Sequence, residues 1–404
     1  MLRAPGAAGE RLAIDYFSPS IRMGLQNAVA LESAGLLRSV HVDACLPPGK
    51  VANALKHIAG PRTMNRVLDG IPMTRIQMHP QITVAARIRR RLRLSGRDTT
   101  AMDRVLIQIY SSIARQCDSE VVVGAQSSCL ELFRGRSYRI MDQVSAPNRH
   151  VLAVTADEYS RFPGWAPEGV TKSRSWDHRI EAEWQTADLI WVPSHHLIQL
   201  SSAFGADPAK FRVIPYPISR QNLAGTIREH KARRVLRVVF AGTLVLGKGI
   251  QYIYEALRKR PDLPVQMEFF GSVNLSSFGV GRLAEVGTVH GPVPRSQLLQ
   301  EFRNADLLLF PSLSEGSALV TLEATALGLP VVTTEEAGAP KSAMVIPARS
   351  PEAIISAIET IADDPSQLER LSAAGLKEAA KRTTFMYGAS IVNSIKTLTS
   401  SEHV

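Results

Sequence analysis

Short apolar runs alternate with stretches of helical periodicity along most of the chain. In the first half, runs typical of buried strands occur at Leu12–Phe17, Val40–Ala44, Glu120–Val123, Tyr138–Met141, Leu189–Val192 and Phe211–Ile214. In the second half, such runs occur at Val235–Ala241, Val265–Phe270, Gly287–His290, Asp306–Phe310, Leu329–Thr333 and Ala343–Ile346. Helical patterns separate most of these runs, and this alternation predicts βαβ units and parallel sheets.

The alternation stops near Pro215–Gly225 and restarts with the apolar run at Val235–Ala241. Because proline and glycine interrupt helices and strands, this break predicts a linker between two α/β halves. We expect an N-terminal domain over residues 1–220, a C-terminal domain over 221–384 and a final helical segment over 385–404. Two facing parallel sheets would place a ligand cleft between them, beyond the carboxyl ends of their strands.

A glycine-rich segment, G-T-L-V-L-G-K-G at 242–249, follows the first predicted strand of the second half. Its glycines would let backbone amides approach phosphate oxygens, and Lys248 would add a positive charge where a helix begins. The segment is similar to a nucleotide-binding P-loop, but Gly249 stands where Ser or Thr would hold Mg²⁺. It therefore predicts a diphosphate cradle without a metal ligand. An ordinary strand–turn–helix with a surface lysine is the alternative.

A second segment, F-P-S-L-S-E-G-S-A-L-V-T-L-E at 310–323, leads from a strand through a loop into a helix. Glu315 and Gly316 lie in that loop, at the edge where α/β sheets bind ligands. Ser317 is a candidate N-cap of the helix. Glu323 lies inside the helix among apolar residues, where a carboxylate needs a partner such as a sugar hydroxyl. A solvated or ion-paired helix residue is the alternative for Glu323.

Residues 242–340 resemble the retaining glycosyltransferases of family 4, within the glycosyl transferases group 1. The matching motifs are F-x-G-x(5)-K-G, F-F-G, V-x-x-x-x-G-x-V at 286–293 and the long run A-D-L-L-L-F-P-S-L-S-E-G-S-A-L-V-T-L-E-A-T-A-L-G-L-P-V-V. Upstream, A-D-L-I-W-V-P-S and F-R-V-I-P extend the match, whereas residues 1–180 agree in pattern only. The resemblance implies a GT-B architecture of two facing Rossmann-like domains. It also implies a retaining hexosyltransferase that uses a UDP- or GDP-linked sugar and a glycan or lipid-linked acceptor.

The resemblance also implies roles for particular residues. Lys248 would contact the donor diphosphate, Glu315 would hold hydroxyls of the donor sugar, and these two are the catalytic candidates. Glu323 would hold the ribose hydroxyls. The other expected donor-binding positions are Gly242, Thr243, Gly247, Gly249, Gly316, Ser317, Ala318 and Leu319. The amides from Gly316 to Leu319 would face the sugar and phosphates. No metal and no cofactor are implied, since the nucleotide sugar is a substrate.

The chain departs from the family pattern at two places. Thr243 stands where the family has a basic residue, so the diphosphate would lose one cation. The family often places a histidine in the N-terminal side of the cleft, but the segment R-I-M-D-Q-V-S-A-P at 139–147 brings Asp142 or Gln143 there as acceptor-side candidates. The other candidates are His150, His178, His195 and His196. A nucleotide-sugar-binding protein without turnover and a nucleotide-sugar 2-epimerase on the same fold therefore stay as alternatives.

The formal net charge of +10 favours an anionic partner. Basic residues concentrate in V-A-A-R-I-R-R-R-L-R-L-S-G-R at 84–97, where Val84, Ile88 and Leu92 have i, i+4 spacing. This pattern predicts a basic amphipathic helix suited to an anionic membrane, a lipid-linked acceptor or an acidic glycan, and a solvated basic helix is the alternative. Nucleic acid is disfavoured as a partner, because aromatic residues make up only 6% of the chain and no nucleic-acid-binding motif is recognised.

Composition also bounds the cellular context. Met1–Phe17 has no apolar core typical of a signal peptide, and no run of 18 apolar residues occurs. We therefore expect a cytoplasmic protein, with any membrane contact peripheral and at the inner face. Three cysteines, Cys45, Cys117 and Cys129, form no C-x-x-C pair and are predicted to be buried reduced thiols.

Overall fold

The computed structural model describes residues 12–20, 25–46, 68–94, 98–167, 177–218 and 235–400. The strands are β1 Ile14–Phe17, β2 Leu37–Val42, β3 Ile76–Met78, β4 Val121–Ala125, β5 Tyr138–Asp142, β6 Leu189–Val192, β7 Phe211–Val213, β8 Leu236–Ala241, β9 Val265–Phe270, β10 Thr288–Gly291, β11 Leu307–Phe310, β12 Val331–Thr333 and β13 Met344–Val345. The α-helices are α1 Gln26–Ser33, α2 Pro80–Leu94, α3 Thr100–Ala114, α4 Asn148–Arg161, α5 Asp177–Thr186, α6 His195–Ser202, α7 Ile250–Lys259, α8 Ser277–Ala284, α9 Arg295–Asn304, α10 Leu319–Ala326, α11 Pro351–Asp363, α12 Ser366–Lys381 and α13 Thr384–Ser400.

These strands form two separate sheets. The N-terminal sheet has the order β3-β2-β1-β4-β5-β6-β7, and the C-terminal sheet has the order β10-β9-β8-β11-β12-β13. All neighbouring strands pair in parallel. The predicted α/β architecture of two Rossmann-like parallel sheets is therefore confirmed.

The central strands explain why the apolar pattern located the sheets so well. In β4, Val121, Val122 and Val123 are all fully buried, and β11 is buried along its whole length. A parallel strand covered by helices on both faces needs a continuous apolar run, because both sets of side chains enter a core. The strand β3 was not predicted; it lies at the edge of its sheet, and only Ile76 in it is buried. The helix α8, which contains two glycines, was not predicted either.

The last helix returns to the N-terminal domain. In α13, Tyr387 hydrogen-bonds through its hydroxyl to the Asn27 side chain, and the Trp191 indole donates to Ser394 Oγ at 3.0 Å. Before α13, the Arg382 guanidinium donates to the Tyr216 carbonyl oxygen at 2.7 Å, which ties the two crossing segments together. The predicted boundary at 220/221 falls in 219–234, outside the described residues, and stays a prediction.

Two predictions from composition can be compared with the structure. The three cysteines are buried and unbridged, as predicted, and burial raises the pKa of the Cys117 thiol to about 12. Among the helices of the described ranges, none is both long enough and apolar enough to cross a bilayer.

Candidate active site

The glycine-rich segment after β8 forms a tight turn that fixes Lys248. Residues Leu246–Lys248 make one turn of 3₁₀-helix, and Gly249 follows with a φ of 72° before α7 begins. A Cβ at Gly249 would lie 2.0 Å from the Pro311 carbonyl oxygen. Only glycine fits here, since it tolerates the left-handed backbone and lets the turn touch the loop after β11.

This contact brings together two groups that lie 67 residues apart in the chain. The Leu313 amide donates to the Gly247 carbonyl oxygen at 3.0 Å, which holds the two loops side by side. The Lys248 ammonium then forms an ion pair with the Glu315 carboxylate. Its nitrogen also lies 5.9 Å from the centroid of the Phe310 ring. Burial lowers the pKa of the Lys248 amine to about 8.

The loop that carries Glu315 is pinned from the other side by the turn after β12. The Glu315 amide donates to the Glu336 carbonyl oxygen at 2.8 Å, and the Ala318 amide donates to the Ala337 carbonyl oxygen at 2.9 Å. Because its hydrogen is used here, the Ala318 amide is not available to a nucleotide sugar, contrary to the expectation from sequence. The amides of Gly316 and Ser317 make no backbone hydrogen bond within the described ranges.

Helix α10 begins at Leu319 without a side-chain cap. Its N-cap residue is Ala318, so the prediction that Ser317 caps the helix is wrong, and Ser317 Oγ lies 3.5 Å from the Gly338 carbonyl oxygen instead. Alanine has no side-chain oxygen to accept from the first amides of the helix. An uncapped helix N-terminus carries partial positive charge and unpaired donors, so it can bind an anion.

Glu323, one turn into α10, forms an ion pair that the sequence did not indicate. Its Oε1 accepts from the Nε and a terminal nitrogen of Arg295 at 2.9 and 2.7 Å. Arg295 is the first residue of α9, and nothing in the linear pattern connects it with Glu323. The ion-paired glutamate stated above as the alternative is therefore what the structure contains. The second carboxylate oxygen, Oε2, has no hydrogen bond to another described residue and stays able to accept one.

The remaining glycines and Thr243 differ in their availability to a ligand. The Gly242 amide donates to the Phe270 carbonyl oxygen at 2.9 Å and is thereby used within the sheet. The Gly247 carbonyl oxygen is used by Leu313, as described above. Thr243 is exposed at the edge of the turn. Because Thr243 is uncharged, Lys248 is the basic residue that the turn at 242–249 offers to a ligand.

The N-terminal domain packs directly on the loop that carries Glu315. A Cβ at Gly316 would lie 2.0 Å from the Val144 carbonyl oxygen, so this position admits no side chain. Ser194 Oγ, just before α6, donates to the Gly316 carbonyl oxygen at 2.7 Å. The carboxyl ends of both sheets therefore meet at Gly316, next to Lys248 and Glu315.

The two acceptor-side candidates lie in different environments. Asp142, at the end of β5, accepts a hydrogen bond from the Tyr16 hydroxyl at 2.7 Å and lines a cavity of about 30 Å³ with Asn27, Tyr216 and Tyr387. Burial, with the carboxylate of Asp142 beside it, raises the pKa of Tyr16 well above its usual range. Asp142 thus lies at the edge of the N-terminal sheet that faces the C-terminal domain.

Gln143 has no exposed surface, and its side chain points into the N-terminal domain. Its amide nitrogen donates to Ser201 Oγ at 2.8 Å, and its amide oxygen accepts from the Trp184 indole at 2.8 Å. Both ends of the side chain are used in holding α5 and α6 to the sheet. The expectation that Gln143 takes an acceptor-side position is therefore wrong, because nothing of it remains to contact a ligand.

The four histidine candidates are divided between the surface and the space beside α6. His178 is exposed and lies 3.5 Å from Glu181, and His195 is also exposed. His150 and His196 are half-buried, and burial lowers the pKa of His150. His195 and His196 line an open groove of about 860 Å³ between the domains, which runs past Ser317 and Gly338 toward α12.

A buried carboxylate that the sequence did not single out joins the domains near the phosphate loop. Glu158 on α4 is fully buried and accepts from Gln251 Nε2 at 2.7 Å, the Tyr252 hydroxyl at 2.8 Å and Arg349 Nε at 2.7 Å. Gln251 also donates to the Leu246 carbonyl oxygen at 2.9 Å. The N-terminal domain therefore supports the turn that carries Lys248. Within the described residues, no group of three or more His, Cys, Asp or Glu side chains is arranged to hold a metal ion.

Two parallel α/β sheets with their carboxyl edges in contact are the architecture of the GT-B class of fold, and here a lysine, a carboxylate and an uncapped helix N-terminus lie at that edge. Residues 236–364 match the family described as Glycosyl transferases group 1. This match covers most of the C-terminal domain, the part of the chain in which the motifs resemble that family.

Relatives and solved structures agree with this assignment. The chain is 32% identical over 189 residues to the D-inositol 3-phosphate glycosyltransferase of Paenarthrobacter aurescens (strain TC1), which covers 41% of this chain and 46% of that protein. It is 25% identical over 225 residues to the amylovoran biosynthesis glycosyltransferase AmsK of Erwinia amylovora, covering 52% and 50%. These matches span half or less of either relative.

The similarity to solved structures extends over nearly the whole chain. Anabaena Alr3699/HepE, solved in complex with UDP and glucose, has a TM-score of 0.59 at 13% identity and covers 96% of this chain and 100% of its own. The sucrose-phosphate synthase tll1590 from Thermosynechococcus elongatus has a TM-score of 0.61 at 15% identity, with 97% and 100% covered. At these identities the likeness establishes the GT-B fold of both domains.

Proposed function

We propose that this protein transfers a hexose from a UDP- or GDP-linked sugar to an acceptor hydroxyl, with retention of anomeric configuration. One observation carries the proposal: Lys248 and Glu315 form an ion pair beside the uncapped N-terminus of α10, at the edge where the two sheets meet. A cation and a helix N-terminus suit a diphosphate, and a carboxylate suits sugar hydroxyls. The family of residues 236–364 supports the same reaction.

Lys248 would supply the electrostatic stabilisation that the reaction needs. As the glycosidic bond breaks, negative charge grows on the diphosphate, and a positive group fixed nearby stabilises this charge without reorganising. The amine is three-quarters buried at its side chain, where its interaction with an anion is stronger than in water. The amides at the start of α10 would add partial positive charge from the opposite loop.

Glu315 would orient the donor sugar. Its carboxylate accepts hydrogen bonds only, so it can hold sugar hydroxyls once these compete with the Lys248 ammonium for its oxygens. Across the cleft, Asp142 would contact the acceptor side. The contact of Val144 and Ser194 with Gly316 would keep water away from the reacting carbon, which limits hydrolysis of the donor.

We further propose that turnover needs no divalent cation, since Lys248 and the N-terminus of α10 together would neutralise the leaving group. The test is to assay transfer in buffer with excess EDTA and again with added Mg²⁺ or Mn²⁺. Equal rates agree with the proposal. A rate that disappears with EDTA and returns with the metal contradicts it.

The reaction itself is tested in two stages. First, thermal shifts are measured with a panel of UDP- and GDP-sugars, because a ligand at 100 times its Kd stabilises a protein by about 2.7 kcal/mol. Second, the best donor is radiolabelled and offered to acceptors that include inositol 3-phosphate and bacterial glycans, the classes suggested by the names of the relatives. NMR of the product then gives the anomeric configuration.

The alternatives predict different results in the same assays. A nucleotide-sugar-binding protein without turnover would give a thermal shift but no labelled product with any acceptor, and it would release no free nucleotide. A 2-epimerase would convert the donor to its 2-epimer in the absence of an acceptor. Labelled product with net inversion would leave transfer intact but contradict retention.

A further inference from the structure

Helix α2 presents a solvent-exposed face that combines apolar and basic side chains. Val84 is 58% exposed and Ile88 is 43% exposed, although both were expected on the apolar side of an amphipathic helix. The helix packs on α3 with Ile82 and Ala85 instead. The apolar pattern at i, i+4 therefore faces outward, and the core does not account for it.

Two arginines share this face. Arg87 and Arg91 are exposed and stand at i+3 and i+7 from Val84, with Ile88 at i+4, so the four side chains form one stripe along the helix. Neither arginine has an ion pair with another described residue. We call these four residues, Val84, Arg87, Ile88 and Arg91, the α2 face. Helix α2 contains no acidic residue.

The neighbouring Arg89 has a different role. Its guanidinium pairs with Asp103, a buried residue of α3, and so joins the two helices. Among the arginines of α2 whose side chains the structure describes, Arg89 thus holds the helix to the domain, whereas Arg87, Arg90 and Arg91 are exposed and available to a partner.

Helix α2 follows β3, the outermost strand of the N-terminal sheet, and the α2 face lies along the helix after this strand. In a parallel sheet the helix after a strand begins at the carboxyl edge, and this is the edge that meets the C-terminal domain. Met78, the last residue of β3, is 47% exposed just before α2 begins. Exposed apolar side chains therefore continue from the carboxyl end of this strand onto the helix.

We propose that the α2 face docks this protein on an anionic lipid surface, with Val84 and Ile88 inserted among the acyl chains and Arg87 and Arg91 beside the headgroups. Two apolar side chains flanked by arginines match the apolar and negatively charged layers of such a surface. The net charge of +10 adds long-range attraction. If the proposed transfer reaction holds, docking would bring the protein to a lipid-linked acceptor. The docking itself does not depend on that reaction.

Binding to vesicles tests the proposal without any turnover. The full chain is sedimented with phosphatidylcholine vesicles that contain about a third phosphatidylglycerol, and with pure phosphatidylcholine vesicles, at about 0.1 M and about 0.5 M salt. We expect binding to the anionic vesicles that weakens at high salt. Because each arginine near such a surface contributes about fivefold, R87E/R91E should weaken binding at least about 25-fold.

Lys377 and Lys381 provide a matched control. They are exposed on α12 of the C-terminal domain at the same i, i+4 spacing, and K377E/K381E makes the same change in net charge. The control variant should bind nearly as well as the wild type. Circular dichroism and thermal melting establish that both variants are folded. Equal losses in the two variants would show attraction by net charge alone and overturn the proposal.

A spectroscopic probe tests insertion of the apolar residues. The three native cysteines are buried, so Ile88→Cys can be labelled selectively with an environment-sensitive fluorophore. Its emission should shift to the blue on anionic vesicles, while a label at Lys377→Cys should not respond. V84S/I88S should weaken binding about tenfold with little change in its salt dependence.

Three further results would overturn the inference. The first is wild-type protein that ignores anionic vesicles at low salt. The second is an Ile88 label that keeps its aqueous emission while the protein is bound. The third is a dimer in sedimentation equilibrium that V84S/I88S dissociates, since a second copy of the chain would then be the occupant of the α2 face.

Discussion

The C-terminal and N-terminal halves of this molecule carry their chemistry in different ways. In the C-terminal domain, Lys248 and Glu315 lie in two short loops at the carboxyl ends of neighbouring strands β8 and β11. Because these strands pair directly, the two loops lie side by side at the same edge of the sheet. The motifs of the two loops are therefore sufficient to locate both groups in the sequence.

The N-terminal domain instead builds its side of the cleft from residues far apart in the chain. Asp142 is held by Tyr16, and its cavity is completed by Tyr216 and Tyr387, the last of these from the helix that returns from the other domain. Such a site depends on how several elements pack, so no short motif marks it. The difference teaches that the donor side can be proposed from motifs, whereas the acceptor side requires the assembled fold.

The largest expected effect tests the C-terminal side of this comparison. Lys248→Ala should lower kcat about 10²- to 10³-fold at saturating donor, because a single electrostatic group at a developing charge contributes this much. Lys259→Ala, which removes an exposed lysine paired with Glu352, should have no effect. Steady-state kinetics with the best donor measure both. Wild-type turnover in Lys248→Ala would mean that the phosphate cradle is misassigned.

A double variant separates two roles of Lys248. If Lys248 acts only through Glu315, then K248A/E315Q should turn over as fast as E315Q, since the lysine has no carboxylate left to neutralise. If Lys248 acts on the diphosphate, the double variant should be slower than E315Q by nearly the factor that Lys248→Ala loses in the wild type. We expect the second outcome.

The next effect tests whether the N-terminal side must reach the donor loop. Gly316→Ala would place a Cβ 2.0 Å from the Val144 carbonyl oxygen and push the domains apart. We expect kcat to fall about 100-fold, since a displacement of about 1 Å can cost this much, while donor affinity measured by calorimetry changes little. Gly281→Ala, where a Cβ would meet nothing within 4 Å, is the control. Full activity of Gly316→Ala would show that catalysis does not need this contact.

The pH dependence of kcat/KM tests the charge of Lys248 in the C-terminal domain. Lys248 carries its charge below a pKa of about 8, and raising the pH above that value removes the cation from the free enzyme. Therefore kcat/KM for the donor should be flat below pH 8 and fall about tenfold per pH unit above it. Lys248→Arg should abolish this fall up to about pH 10, because arginine stays charged. A fall that persists in Lys248→Arg must come from another group.

The sequence was most informative where structure is local. Continuous apolar runs located the buried strands, and G-x-x-x-x-G-K-G placed Lys248 in a turn after a strand because its glycines allow a tight turn there. The helix at 319–326 was found, but its cap was misplaced by one residue, since the loop is pinned by Ala318 and Ala337 rather than by a serine side chain. A cap depends on which tertiary hydrogen bonds the loop makes.

Features that depend on distant contacts could not be predicted. Gln143 follows a strand like a cleft residue, yet Trp184 and Ser201 bury it. Glu158 looks like any acid on a helix surface until residues from the other domain surround it. Val84 and Ile88 have the spacing of a core face and lie in solvent. For Gln143 and Glu158 the deciding neighbours are tens of residues or more away, and for Val84 and Ile88 the deciding fact is that no element packs on them; periodicity reveals neither.

Glu323 gives the smallest expected effect and the sharpest question about the donor side, because its ion pair with Arg295 competes with the role that the family resemblance implies. If Glu323 binds ribose, Glu323→Gln should raise the donor KM about three- to tenfold and leave kcat nearly unchanged, since ribose contacts do not change between ground and transition states. Stability should hardly change, because an exposed ion pair contributes little.

A donor with 2′-deoxyribose distinguishes the two roles of Glu323. If Glu323 binds ribose, this donor should bind the wild type more weakly than the normal donor does. It should bind the wild type and Glu323→Gln almost equally, as expected when the variant and the substrate remove the same hydrogen bond. If Glu323 only holds Arg295, the deoxy donor will lose the same factor with Glu323→Gln as the normal donor does, and the ribose role is then excluded.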